Sequence, residues 1–96
     1  MTSGTHQVAE ERRSLLEFPC EFPLKVFGFH SVDFEQKVLE ILVPRCPQTE
    51  HFDIRQNQSK KGKYIALTIT FTAYSQQQLD DIYQDLYDSE DVVMTL

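Results

Sequence analysis

Between Gly62 and Ala73 the chain alternates: Ile65, Leu67, Ile69 and Phe71 share one parity, and Tyr64, Ala66, Thr68, Thr70 and Thr72 share the other. Side chains two apart point to the same side of a strand, so this segment has one apolar face and one largely polar face. A helix would scatter the four large apolar residues around its cylinder, and the β-branched content also favours extended backbone. The pattern predicts a half-buried strand, and the rest of the chain must pair with it or cover its apolar side.

Upstream, residues 1–16 are polar and show no apolar stripe, which reads as a flexible leader to a single domain over 17–96. Two prolines, Pro19 and Pro23, suit an extended approach and not a helix interior. A strand is predicted from about Phe22, with Phe22, Leu24 and Val26 on one side and Lys25, Phe27 and Phe29 on the other; Gly28 marks a bend or a close backbone approach. The period then lengthens. Phe34, Val38, Ile41 and Leu42 recur at helical spacing, with Ser31 or Asp33 able to cap the start and Pro44 ending the run. Phe52 and Ile54 alternate with Asp53, Arg55 and Asn57 in an edge strand, and the following Q-S-K-K-G-K supplies Gly62 for the positive φ of a hairpin. Ser75 and Gln78 have capping-box spacing ahead of Leu79, Ile82, Tyr83 and Leu86, a second amphipathic helix. A last strand holds Val92, Met94 and Leu96 on one side, leaving Val93 and Thr95 on the other.

The order is β-α-β-β-α-β. Two strand-helix-strand units joined by a hairpin, each with a right-handed crossover, give an α+β ferredoxin-like sandwich: a four-stranded antiparallel sheet in the order 4-1-3-2 with both helices on one face. The expected core is Leu24, Val26, Phe34, Val38, Leu42, Ile54, Ile65, Leu67, Ile69, Phe71, Leu79, Ile82, Leu86 and Met94.

Composition narrows the functional classes. With 96 residues, 41% hydrophobic and 25% charged, the chain suits one small core and no second domain. No run approaches the ~20 apolar residues of a membrane span, so a cytoplasmic protein is expected. Cys20 and Cys46 do not form a C-x-x-C pair, and the three histidines keep no metal-ligand spacing with them, so neither a metal nor another cofactor is expected. There is no G-x-S-x-G, no phosphate-cradling glycine loop and no H-E-x-x-H, which argues against an enzyme. The Asp80, Asp81, Asp85 and Asp88 series reads as a solvated helix face.

Taken together, Phe18-Pro19, Phe22, Lys25-Val26, Gly28, Ser59, Gly62, Tyr64, Tyr83, Leu86, Met94 and Leu96 make the chain resemble the YbeD-like family, small bacterial proteins of uncharacterised function. The likeness spans nearly the whole domain and leaves out the leader through Ser14. It implies a fold similar to the ACT domain, a small-molecule-sensing regulatory module, in agreement with the element order above. It also implies an effector near the loop after the first strand, where Gly28, His30 and Ser31 are the candidate ligand-binding residues; the other reading of Gly28 is close helix packing.

Two functions follow. The first is a non-catalytic regulatory module that senses a small-molecule effector. The second is an adaptor that binds a protein partner through the open sheet face, with Lys25, Phe27, Arg55, Thr68 and Thr70 as the contact residues, and a homodimer is one arrangement this face allows. RNA recognition is a distant third and is not expected, because the positions after Tyr64 on the open face are Ala66, Thr68 and Thr70 where stacking needs aromatics, and the net charge is −6.

Overall fold

The computed structural model describes residues 16–58 and 62–96. Nearly all of the expected leader, and Ser59, Lys60 and Lys61 of the hairpin, lie outside the described residues. Strand β1 runs over Cys20–Phe29, helix α1 over Phe34–Leu42, β2 over Asp53–Gln58, β3 over Tyr64–Ala73, helix α2 over Gln76–Tyr87 and β4 over Val92–Thr95. A short 3-10 turn, Val43–Arg45, follows α1 and contains Pro44, whose missing N–H and fixed φ stop the α-helix there.

The sheet order is β2-β3-β1-β4, the predicted 4-1-3-2 read from the other edge, and all three pairings are antiparallel. The central pair carries most of the register. Ten consecutive partners link β1 to β3, from Cys20 opposite Ala73 to Phe29 opposite Tyr64. Because both strands keep strict period two over that length, Phe22, Leu24, Val26 and Gly28 share a face with Ile65, Leu67, Ile69, Phe71 and Ala73. The buried stripes of the helices, Phe34, Val38 and Leu42 from α1 and Leu79, Ile82 and Leu86 from α2, join these residues in one cluster, which puts both helices on that face.

Local chemistry sets the helix ends. Ser75 has extended backbone, its hydroxyl accepts from the Gln78 N–H at 3.0 Å, and the Gln78 side-chain oxygen reaches back to the Tyr74 N–H at 2.7 Å. That reciprocal pair satisfies one of the donors that the first helical turn leaves open, the Gln78 N–H, and ties down the residue before the cap. Asp33 occupies the corresponding position of α1, but its carboxylate accepts from the Ser31 hydroxyl and not from a helical N–H. Gly62 has φ +68°, the positive value expected of the hairpin glycine.

One expected core residue is misplaced. The β1–β4 register shifts between Phe27 and Gly28: Thr95 lies opposite Val26, Met94 opposite Phe27, and Val92 opposite Gly28, so Val93 is the extra residue of a bulge. Beyond it every side chain of β4 changes face. Met94 is therefore 49% exposed on the open side, and Thr95 takes a core-side position. Ile54 is only half-buried on edge strand β2, while Cys46 and Ala73 complete the core.

Leu67 is fully buried between its neighbours on β1 and β2. Leu67→Ala is expected to cost ~2–5 kcal/mol by leaving a cavity, read as a lowered urea midpoint with unchanged slope.

Candidate functional site

The residues proposed for an effector stand at one end of the sheet. Gly28 is inside β1, not in the loop after it, and it is buried. A Cβ at Gly28 would overlap the Phe34 ring and crowd the backbone carbonyl of Asp91. The glycine is thus the point where α1 descends onto the sheet and where the chain enters β4. His30 is exposed; its ring pairs with the Gln58 side chain at 3.0 Å, and its backbone N–H donates to the Lys63 carbonyl at 3.0 Å. The Ser31 hydroxyl is spent on Asp33, and this bond holds the Asp33 carboxyl below its ordinary value. The polar groups of this end tie its chain segments together.

The open face is built differently. Its side chains come from the parity that the core does not use, and the pairing registers order them in rows across the sheet. Phe29 and Tyr64 form the first row, their rings 5.4 Å apart and inclined at 31°, with the Lys63 ammonium 5.5 Å from the Tyr64 ring. Met94, Phe27, Ala66 and Asn57 form the second. Leu96 exchanges both backbone hydrogen bonds with Lys25 at 2.9 and 3.3 Å, which makes the third row Leu96, Lys25, Thr68 and Arg55. Pro23, Thr70 and Asp53 follow, then Glu21 and Thr72.

Lys25, Phe27, Arg55, Thr68 and Thr70 therefore do share one surface, as the alternation predicts. The reading of the sequence missed how apolar one end is. Phe29, Tyr64, Met94 and Leu96 are all exposed there beside the half-buried Phe27. Phe29 was legible, since it has the parity of Phe27; Met94 and Leu96 reach this face only through the bulge.

An open groove of about 510 Å³ lies at the far end of the sheet, lined by Glu21, Asp53, Thr72 and Tyr74 together with the Gln48–Phe52 segment. Its carboxylates do not converge, and among the described residues no group of three His, Cys, Asp or Glu is arranged to hold a metal ion. Of the two thiols, Cys46 is buried, and desolvation pushes its pKa above the ordinary 9.0, with a weak opposing contact from the Gln78 amide at 3.5 Å. Such a thiol is a poor nucleophile. Tyr83 is likewise raised by burial, and its hydroxyl donates to the Leu96 carbonyl at 3.1 Å.

The ion pairs among the described residues sit on the helical side: Lys37 with Asp91 at 3.3 Å and Asp33 at 3.7 Å, and Arg45 with Asp85 at 2.8 Å and Asp81 at 3.6 Å. All are substantially exposed, so each contributes little to stability. They do neutralise the basic residues of that side, while Lys25 and Arg55 on the open face make no ion pair among the described residues.

Fold and surface together define a class: a ferredoxin-like domain whose helical layer is packed and charge-paired and whose sheet face is uncovered and part apolar. Within that class the chain belongs to the family described as a protein of unknown function, DUF493, whose model matches residues 13–96. This is the family to which the YbeD-like pattern pointed. Among its curated relatives, a UPF0250 protein of Chromobacterium violaceum is 38% identical over 89 residues, 93% of this chain and all of the relative. One from Neisseria gonorrhoeae is 42% identical over 87 residues, 91% of this chain and 96% of the relative. The solution structure of protein HP0495 from H. pylori superposes with a TM-score of 0.65 at 20% identity, covering 84% of this chain and 85% of that one, a likeness of fold alone. The family description and these relatives' names specify no catalytic activity. No helix among the described residues is long and apolar enough to cross a membrane.

Three outcomes follow. Gly28→Ala should lower stability by ~1–3 kcal/mol, seen in chemical denaturation, because the Phe34 ring or the Asp91 backbone must move. With a thiol reagent at neutral pH, Cys20 should be modified in the native protein and Cys46 only after unfolding. Since the folded Cys46 and Tyr83 hold their protons above the ordinary 9.0 and 10.0, the unfolded chain ionises first; the stability these two groups contribute should be level from neutral pH to about pH 9 and fall above it, in a pH series of denaturation midpoints.

Proposed function

We propose that this protein is a non-catalytic recognition module that engages a protein partner through the open face of its sheet. The observation that carries this reading is the apolar cluster of Phe27, Phe29, Tyr64, Met94 and Leu96 at one end of that face. An antiparallel sheet with one side in water ordinarily alternates apolar-in and polar-out, as Thr68, Thr70 and Thr72 do here. Single exposed apolar residues need no explanation, but several that adjoin on a rigid backbone mark an interaction surface. Aromatic and methionine side chains are also the types enriched where proteins bury contact area.

The effector-sensing reading has less geometric support. Gly28 is filled against α1, and the polar atoms of His30 and Ser31 are bonded to Gln58 and Asp33. A ligand ammonium or carboxylate would have to displace those bonds. A regulatory role remains consistent with sheet-face recognition, with regulation exerted on the bound partner.

Affinity capture from native lysate tests the proposal when four baits are compared: wild type, Phe27→Asp, Met94→Asp, and Glu40→Lys on the exposed side of α1. The expected outcome is a partner retained by wild type and Glu40→Lys and lost from both sheet variants. A partner retained equally by all four, or lost only with Glu40→Lys, would move the binding surface elsewhere.

A further inference from the structure

We infer that the occupant of this face is an acidic amphipathic helix of another protein, laid with its apolar side on the Phe27, Met94 and Leu96 cluster and its carboxylates on Lys25 and Arg55. The inference rests on the recognition reading above and adds the chemistry of the partner.

The chain carries 15 acidic against 9 basic residues, yet the row that borders the apolar cluster is basic. Lys25 and Arg55 both lie opposite Thr68, from its two sides, so their backbones stand two strand spacings apart, about 10 Å. Neither has an ion pair among the described residues, whereas Lys37 and Arg45 on the helical side are each held by two aspartates. Successive rows of one face are about 6.6 Å apart along the strands, close to the 5.4 Å rise of a helical turn. A helix running along the strands can therefore place an apolar residue over the Phe29 and Tyr64 row, another one turn on over the Met94 and Phe27 row, and a carboxylate a further turn on, at Lys25 or Arg55. The aspartates of α2, Asp80, Asp81, Asp85 and Asp88, repel the same ligand from the other side of the molecule and favour encounter at the sheet.

A second copy of this chain fits less well. In a symmetric face-to-face pair centred on Phe27, a two-fold axis along the strands sets the Lys25 and Arg55 row over the same row of the partner, and an axis across them sets Lys25 over Phe29. In both cases the cations meet no carboxylate. A nucleic-acid strand would gain the Phe29 and Tyr64 rings, but its phosphates repeat along its whole length and would meet Glu21 and Asp53 further along the face, where a helix can confine its carboxylates to the turn over Lys25 and Arg55.

The test is selection from a displayed library of random peptides of about 16 residues, long enough to run the length of the face. Selected peptides are then titrated by fluorescence anisotropy against wild type, Met94→Asp and the double variant Lys25→Glu/Arg55→Glu, all substituted at exposed positions and checked for fold by circular dichroism. The expected result is enrichment of amphipathic sequences with net negative charge. Their binding should weaken about tenfold in the double variant and with rising salt, and disappear with Met94→Asp. Neutral or basic winners, no enrichment, or binding unchanged by the double variant would overturn the acidic partner. If Met94→Asp still removed the binding in such a case, the sheet-face reading would stand; selected peptides indifferent to Met94→Asp would overturn that reading too. Saturable binding of mixed single-stranded RNA that the double variant abolishes would assign the cations to nucleic acid, and a dimer in sedimentation that Met94→Asp dissolves would assign the face to a second copy. Either result overturns the inference.

Discussion

The pairing of β1 with β3 is the constraint from which the other features follow. Ten partners in unbroken register hold two strands of strict alternation together, so the parity of each residue decides which layer it enters. A one-residue slip would turn one strand's apolar set, Leu24 and Val26 or Ile65, Leu67 and Ile69, to solvent while the other's stayed inward, and break up the surface on which both helices rest. That shared penalty makes the register cooperative: no single contact fixes it, and each apolar pair disfavours the same alternatives. The helices then need little more than a matching stripe. The hydrogen bonds at the Ser75 end of α2 fix where that helix begins, but its depth is set by Leu79, Ile82 and Leu86 against the sheet.

Most of this was legible because the informative segments are long and periodic. The alternation of β3, the helical spacing of Phe34, Val38 and Leu42, and the Ser75 and Gln78 pair each point to one local structure, and the three are mutually consistent. The element order then leaves one common right-handed arrangement. The failure at β4 has an equally definite cause. In V-V-M-T-L both parities offer apolar residues, so periodicity cannot choose between Val92 with Met94 and Val93 with Thr95, and a bulge makes the choice partway along. The register shifts beside Gly28, where the Asp91 carbonyl takes up space that a Cβ would need. Glycine thus admits two neighbours at once, the Phe34 ring from the helix layer and the backbone that feeds β4. The sequence marks Gly28 as special; only the fold reveals that its effect is felt on the next strand.

This linkage bears on the candidate site as well. A straight β4 would have turned Met94 and Leu96 inward and left the open face with Phe27, Phe29, Tyr64 and Val93 among threonines and charges, a smaller apolar surface. With the bulge, two apolar residues cross to the side where Phe27, Phe29 and Tyr64 already stand. Bulges recur where a side chain is re-aimed and a surface specialised. The same glycine that the family likeness associates with an effector loop therefore acts, in this geometry, on the sheet face behind it.

The two sides of the domain also differ in how their charges are used. On the helical side, cations and aspartates are matched within the chain at 2.8–3.7 Å, which leaves that surface acidic in sum and internally balanced at its basic points. On the sheet side, Lys25 and Arg55 stay apart from Glu21 and Asp53 along the strands and border the apolar rows directly. Arg55 and Asp53 leave β2 on the same face one row apart, yet neither Lys25 nor Arg55 is within ion-pair distance of a carboxylate among the described residues. A surface that is apolar, then basic, then acidic over five successive rows has a direction. It favours a ligand with the complementary order and disfavours the reverse orientation of the same ligand, because turning it end for end would set its outer charged groups over the rings and its apolar groups over Asp53.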